Sequence, residues 1–183
     1  MARTARPRPD PGVACQLPID AAAIQARVAE LASDISREFA GQELVPLVIL
    51  RGAWMFAADL ARALAIPHTM EFLPARSYAG TQSSGEVRID AAATGDLSGK
   101  HVLIVEDIVD SGHTLQAIQA RLDAATLRSV RVVSLLRKPR ATTNADYVEF
   151  EIPDQFVVGY GLDWNGSHRG LAFITTLDRR SDD

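Results

Sequence analysis

Residues 101 to 115 read His-Val-Leu-Ile-Val-Glu-Asp-Ile-Val-Asp-Ser-Gly-His-Thr-Leu, and this stretch decides the fold. The apolar run from Val102 to Val105 predicts a buried strand, and the helical spacing after Thr114 predicts a helix. Strands that alternate with helices are typical of a largely parallel α/β sheet. In such a sheet, ligands bind just outside the carboxyl ends of the strands.

The residues between this strand and helix carry the chemistry. Glu106 and Asp107 stand where the strand should end, and Asp110 to Thr114 form the turn that follows. A hydroxyl-and-glycine turn that opens a helix presents backbone N–H groups and a positive dipole end to an anion. Carboxylates can hold hydroxyl groups or a metal ion. The segment therefore predicts a site for a sugar phosphate.

The whole run resembles the signature with which type I phosphoribosyltransferases bind phosphoribosyl pyrophosphate (PRPP). In that family an apolar strand is followed by Glu-Asp, three residues and Ser/Thr-Gly-x-Thr, and every part is present at residues 102 to 114. The alternative is an ordinary strand–turn–helix junction with surface acids. It would require Glu-Asp, Asp110 and Ser-Gly-His-Thr to fall in register by chance.

Patterns along the rest of the chain predict further strands and helices. Asp20 is predicted to cap a helix that Gly41 ends, and two more helices are predicted at about 53–64 and 114–125. Strands are predicted at 44–50, 68–73, 87–90, 102–105, 130–136, 147–152, 156–160 and 171–177. Residues 74–86 are small and polar and predict a mobile loop. The expected fold is a mostly parallel, twisted α/β sheet flanked by helices.

Composition limits the class of protein. The chain has 183 residues, of which 47% are hydrophobic and 23% charged, so we expect a disordered, arginine- and proline-containing tail at 1–14 and one domain at 15–183. The net charge of −4 gives no sign of the basic face that non-specific nucleic-acid binding needs. The single Cys15 excludes an internal disulfide. With no signal peptide and no apolar run of the ~18 residues a membrane span needs, we expect a cytoplasmic protein that does not bind membranes.

The resemblance narrows, over roughly residues 20 to 177, to the hypoxanthine-guanine phosphoribosyltransferase branch of the family. Taken singly, each matching residue could be an ordinary core or surface residue, but together they occur in family order and spacing. The matching motifs are Leu50-Arg51-Gly52, Ser77-Tyr78, Lys138, the run from Phe156 to Tyr160, Asp163 and Arg169. The resemblance also implies a small hood beside the sheet and a flexible lid loop that carries Ser77 and Tyr78. A lid suits the chemistry, because water would hydrolyse an oxocarbenium-like centre.

The resemblance implies a Mg²⁺-dependent transfer of the phosphoribosyl group. It makes Asp110 the general base, or hydrogen-bond acceptor, toward N7 of the purine while N9 attacks C1′ of the ribose; the alternative is a helix cap. Glu106 and Asp107 would hold the ribose hydroxyls, directly or through Mg²⁺, with Asp163 near Mg²⁺–pyrophosphate. The implied PRPP contacts are Arg51, Gly52, Ser77, Tyr78, Glu106, Asp107, Ser111, Gly112, His113, Thr114 and Arg169.

The purine would be held by another part of the chain. The resemblance implies that the Lys138 ammonium donates to O6 of a 6-oxopurine, an acceptor that a cation recognises in preference to the amino group of adenine. It also implies that Phe156 stacks on the base, that the backbone of Val157 contacts the base edge, and that Asp163 lies near the base.

The chain departs from the family pattern at Arg51, where relatives usually carry Lys. Arginine keeps the charge but is not an equivalent hydrogen-bond donor. The departure therefore bears on the contact with pyrophosphate and not on the reaction. The peptide bond that precedes this position in relatives is often cis.

These features predict a purine salvage enzyme that joins hypoxanthine, and also guanine, to PRPP and yields the nucleoside monophosphate and pyrophosphate. One alternative is the same chemistry on another base, which Lys138 and the segment from Phe156 to Asp163 argue against. The other is a PRPP-sensing regulatory protein of the same fold, which the net acidity and Asp110 argue against. By analogy we expect a homodimer or homotetramer. The sequence leaves open the choice among hypoxanthine, guanine and xanthine.

Overall fold

The computed structural model describes residues 17–77, 87–89, 95–122 and 126–177. Its helices are α1 (Ala21–Glu38), α2 (Trp54–Ala63) and α3 (His113–Leu122). Its strands are β1 (Leu44–Leu50), β2 (Glu71–Ser77), β3 (Val87–Ile89), β4 (His101–Val109), β5 (Ser129–Arg137), β6 (Tyr147–Glu151), β7 (Val157–Val158) and β8 (Thr175–Thr176). The expected tail at 1–14 and most of the expected lid loop lie outside the described residues.

The main sheet has the strand order β3-β2-β1-β4-β5-β6. Strands β2, β1, β4, β5 and β6 are parallel to their neighbours in this order, and β3 runs antiparallel to β2 at the edge. The prediction of a mostly parallel α/β sheet is confirmed. Because parallel strands end at the same edge, the carboxyl ends of β1, β4 and β5 lie side by side there.

Helices cover both faces of this sheet. Leu103 and Val105 of β4 belong to the apolar cluster that contains the buried side chains of α1 and α2. Val102 and Ile104, which alternate with them, belong to a second cluster with Leu115 and Ile118 of α3. A strand buried on both faces reads as a continuous apolar run, which is why Val102–Val105 predicted it.

The first helix begins where the sequence predicted and ends at Glu38, slightly before the predicted end at Gly41. The Asp20 side chain accepts a hydrogen bond from the backbone N–H of Ala23 at 2.7 Å and caps the helix. The buried apolar residues recur at the helical period. Gly41, three residues after Glu38, has a φ of +74°, a conformation that glycine adopts without a steric penalty.

Several predicted strand bounds were wrong, first among them those of β2 and β4. Strand β2 starts at Glu71 rather than at His68. Residues 74–77 were predicted as loop, yet they extend β2, because β3 pairs with this part of the chain from Ala75↔Ile89 to Ser77↔Val87. Strand β4 runs to Val109 because its pairing with β5 continues to that residue. The acidic pair therefore lies inside β4 and not after it.

The two strands predicted at 156–160 and 171–177 shorten to β7 and β8, which pair antiparallel as a small second sheet. Positive φ angles from Gly159 to Gly161 end β7. We identify this small sheet with the expected hood. Among the described residues, no helix combines the length and apolar character that would let it cross a membrane.

Candidate functional site

A cavity of about 150 Å³ opens at the carboxyl ends of β1 and β4. Its lining consists of Ile49, Leu50, Arg51, Gly52, Ala75, Glu106, Asp107 and Thr114. Open α/β sheets bind ligands at this edge. The cavity brings together the end of the phosphate turn at Thr114, the acidic pair and the Arg51-Gly52 turn, all of which the sequence predicted as ligand contacts.

The acidic pair is buried and only partly hydrogen-bonded. Glu106 is 7% exposed, and its Oε2 accepts no hydrogen bond from the described residues. The Oδ1 of Asp107 accepts the backbone N–H of Ile108 at 3.0 Å. Burial, together with the charge of Asp107, raises the pKa of Glu106 well above its ordinary value, and burial also raises the pKa of Asp107. A bound cation, or a hydroxyl group that donates a hydrogen bond, would offset the free-energy cost of burying these two groups as carboxylates.

Gly52 lets the turn after β1 lie directly against Asp107. The Leu50–Arg51 peptide bond is cis, as the resemblance implied, and Gly52 follows it. A Cβ atom on Gly52 would lie 1.6 Å from Oδ2 of Asp107 and 2.5 Å from its Cγ. On its other side, a Cβ on Gly161 would lie 2.1 Å from the carbonyl oxygen of Gly52. Close contacts on both sides therefore fix the turn between β4 and the hood.

We expect Gly52→Ala to weaken PRPP binding about tenfold, because the new methyl group must displace the Asp107 carboxylate and a displaced carboxylate loses a charge-assisted hydrogen bond. The measurement is the Kd for PRPP by isothermal titration calorimetry. The matched control is Gly170→Ala, since a Cβ there meets no atom within 4 Å. Equal affinities in the two variants would show that Asp107 does not contact PRPP.

The turn before α3 is held by the loop after β5. The backbone N–H and the hydroxyl of Thr142 both donate to the carbonyl of Ser111, at 3.2 Å and 2.9 Å. Gly112 has a φ of +93°, and a Cβ on it would lie 2.4 Å from the hydroxyl oxygen of Thr143. The first N–H groups of a helix have no partner inside the helix, so a turn held in this way can bind a phosphate. His113 is the first residue of α3. The two threonines were not among the residues predicted from the sequence.

Lys138 and Asp110 meet at the ends of neighbouring strands. The Nζ of Lys138, a residue only 6% exposed, lies 3.4 Å from Oδ2 of Asp110 and 3.4 Å from Oδ1 of Asp154. Arg140 donates to Asp110 through Nε and through Nη2, the latter at 2.7 Å. The Nε of Arg140 also lies 3.5 Å from Oδ1 of Asp154. Lys138 and Asp110 were predicted as site residues, whereas Arg140 and Asp154 were not.

These cations lower the pKa of Asp110. Burial by itself would raise the pKa of this carboxyl group, but the hydrogen bonds from Arg140 and the charges of Lys138 and Arg140 outweigh burial and hold its pKa below the ordinary value. Asp110 is therefore a carboxylate at neutral pH. It can accept a hydrogen bond or a proton, whereas Lys138 beside it can only donate.

Four further predicted residues lie in, next to or between the two strands of the hood. Phe156 is half-buried, and its ring meets that of Trp164 edge-on at 5.2 Å, while Val157 is buried in β7. The Nη2 of Arg169 lies 2.5 Å from Oδ1 of Asp163, so these two predicted ligands pair with each other. The charge of Arg169 also acts to lower the pKa of Asp107, which opposes the larger effect of burial.

The described residues do not test the expected contact of Ser77 and Tyr78 with PRPP. Ser77 is the last residue of β2, and Tyr78 lies outside the described residues. Their contact with PRPP stays a prediction.

The sequence and the fold of this chain were compared with those of known proteins. The family described as "Phosphoribosyl transferase domain" matches residues 19–165. The chain belongs to the phosphoribosyltransferase family. A hypoxanthine-guanine phosphoribosyltransferase of Mycobacterium tuberculosis is 44% identical over 180 residues, covering 93% of this chain and 89% of the relative.

Other phosphoribosyltransferases are nearly as similar. The hypoxanthine phosphoribosyltransferase of Haemophilus influenzae is 40% identical over 158 residues, covering 82% of this chain and 88% of its own. The crystal structure of a hypoxanthine phosphoribosyltransferase from Staphylococcus aureus superposes with a TM-score of 0.83 at 37% identity, covering 90% of this chain and 92% of that one. The sequence-based identification of the family and its fold is confirmed.

Proposed function

We propose that this phosphoribosyltransferase transfers the phosphoribosyl group of PRPP to N9 of hypoxanthine, and also of guanine, and releases pyrophosphate. The proposal rests on one observation, that the buried Lys138 ammonium lies beside the Asp110 carboxylate. A donor-only group next to an acceptor suits a 6-oxopurine, which offers O6 as an acceptor and N7–H as a donor. The names of the relatives support the same substrate class.

The 5′-phosphate of PRPP is proposed to bind the turn from Ser111 to Thr114. Backbone N–H groups and the positive end of the α3 dipole favour an anion there. The ribose hydroxyls are proposed to donate to Glu106 and Asp107, whose burial leaves one oxygen, Oε2 of Glu106, with no hydrogen bond from the described residues.

The acidic pair also fits a magnesium ion. The family implies Mg²⁺, and two buried carboxylates, one with an orphaned oxygen, form the oxygen-rich donor set that this ion prefers. Glu106 and Asp107 would hold the ion, with Asp163 toward the pyrophosphate. When bound, Mg²⁺ would neutralise charge on the leaving pyrophosphate.

Asp110 is proposed to act on the base. As N9 attacks C1′, positive charge develops on the purine, and a carboxylate that accepts the N7 proton or a hydrogen bond from it stabilises that charge. Lys138 orients the ring through O6, Phe156 stacks on its face, and the backbone of Val157 contacts its edge. Arg169 grips pyrophosphate, for which its planar fork is suited.

The direct test is product formation from PRPP and Mg²⁺ with hypoxanthine, guanine, xanthine or adenine, followed by pyrophosphate release and by chromatography of the nucleotide. We expect nucleoside monophosphate from hypoxanthine and guanine and little or none from adenine. A protein that turns over adenine as well as hypoxanthine, or none of the four bases, would contradict the proposal.

Arg51 is proposed to contact pyrophosphate. It is exposed, lines the cavity and immediately precedes Gly52. We expect Arg51→Lys to stay active, because the charge is kept, and Arg51→Ala to raise the KM for pyrophosphate in the reverse reaction about tenfold, the scale of one charged hydrogen bond. Circular dichroism checks the fold of both variants. If both match the wild type, the side chain does not contact pyrophosphate.

A homodimer or homotetramer stays a prediction. Light scattering coupled to size-exclusion chromatography would measure the mass directly.

A further inference from the structure

Arg140 contacts the proposed catalytic carboxylate through two donors. Its Nη2 donates to Oδ2 of Asp110 at 2.7 Å, and its Nε donates to Oδ1. The proposed function gives this arginine no part. A planar guanidinium that donates to both oxygens fixes the plane of a carboxylate as well as its charge.

The contacts of Asp110 leave few acceptor positions open. An ionised carboxylate has about four lone-pair positions, two on each oxygen. Within the described residues, Oδ2 accepts from Arg140 and from Lys138, the latter at 3.4 Å, and Oδ1 accepts from Arg140. One position therefore remains, and it is on Oδ1.

We propose that Arg140 is a positioning residue, whose guanidinium holds the Asp110 carboxylate by its charge and by two hydrogen bonds and turns the one remaining acceptor position toward the purine. The inference rests on the proposed function, since the atom positioned is the acceptor for N7. Arg140 itself touches no reacting atom. It acts only through Asp110.

The charged groups around Asp110 come from two loops. Lys138 and Arg140 follow β5, and Asp154 follows β6 and lies 3.4 Å and 3.5 Å from these two cations. Two cations are thus shared by two carboxylates. Without Arg140, Lys138 alone would neutralise both acids. The pKa of Asp110, which the two cations now hold down against the effect of burial, would rise.

Both side chains of the pair are largely accessible to solvent. The Arg140 side chain is 54% exposed and that of Asp110 is 40% exposed. Ion pairs this accessible to solvent contribute little to the free energy of unfolding. A variant at Arg140 should therefore fold normally, so its catalytic effects can be interpreted.

The test compares Arg140→Gln with Arg37→Gln, a control arginine that pairs with Asp34 on α1. We expect Arg140→Gln to lower kcat/KM for hypoxanthine about tenfold, the scale of one charge-assisted hydrogen bond, and to leave the Kd for PRPP unchanged. The acid limb of the pH profile should move to higher pH. Arg37→Gln should match the wild type. Arg140→Lys, which keeps the charge but not the fork, should fall between wild type and Arg140→Gln.

A second measurement does not depend on activity. Carboxyl ¹³C NMR follows the titration of Asp110 in the free protein, and we expect its midpoint at higher pH in Arg140→Gln than in the wild type. The same midpoint in both proteins would overturn the inference, as would an equal loss of PRPP and hypoxanthine affinity. A wild type that forms no nucleotide would refute the proposed function instead, while the titration would still decide whether Arg140 controls Asp110.

Discussion

The Asp110→Asn variant is expected to lose about 10²-fold or more in kcat, the scale of general acid–base catalysis. Asparagine keeps the shape of the side chain but cannot take a proton, and its amide is a weaker acceptor than a carboxylate. PRPP binding should persist, because the acidic pair in β4 and the phosphate turn are unchanged. Steady-state kcat with hypoxanthine and a calorimetric Kd for PRPP separate the two effects.

Asp96→Asn is the matched control for this substitution. Asp96 also has a lowered pKa, chiefly because it accepts the backbone N–H of Ser98, but it lies before the amino end of β4, away from the site. Removing its charge should leave kcat unchanged. If Asp110→Asn turned over hypoxanthine as fast as this control, Asp110 would be no more than a cap or a structural acid.

The sheet could be predicted from the sequence because a central strand that is buried on both faces consists of a continuous run of apolar residues. It failed at β2, whose second half contains Pro74 and polar residues. Those residues form a strand because they pair with β3, and the amino-acid composition of a segment does not indicate which other segment it pairs with. The same reason explains why β4 continues through the acidic pair: its pairing with β5 extends to Val109.

Some residues of the candidate site could likewise be predicted from the sequence, and others could be found only from the fold. Asp110 and Lys138 could be predicted because each follows an apolar strand at family spacing. Arg140 and Asp154 could not, because their contacts with Asp110 and Lys138 depend on β4, β5 and β6 being neighbours in the sheet. The only available signal was their position just after strands. The threonines that hold the phosphate turn belong to the loop after β5 and were missed for the same reason.

The contact between Gly52 and Asp107 shows a different limit. A glycine after a strand indicates that something approaches the backbone closely, but it does not say what. The structure identifies the neighbour as a carboxylate from β4. From the sequence, Gly52 was predicted only as a ligand contact, and the fold shows that it also packs against a carboxylate of the protein itself.

Replacing Lys138 should impair use of 6-oxopurines far more than binding of PRPP. A hydrogen bond to a charged group contributes about 1.5–3 kcal/mol, so the KM for hypoxanthine should rise about 10- to 100-fold in Lys138→Ala. Because Arg140 already pairs with both Asp110 and Asp154, neither acid is left without a cation. The fold should therefore survive, and the Kd for PRPP should change little.

Two further variants separate charge from packing. The Lys138 side chain is 7% exposed, so alanine also removes buried methylene groups, whereas Lys138→Met keeps an apolar chain without the ammonium. If the ammonium recognises O6, the two variants should share the same rise in KM and the same loss of preference for hypoxanthine over adenine. Lys100, the only other lysine of the chain, precedes β4 at the opposite edge of the sheet, and Lys100→Ala should keep both values. A normal KM in Lys138→Met with a raised KM in Lys138→Ala would assign Lys138 to packing and remove it from base recognition.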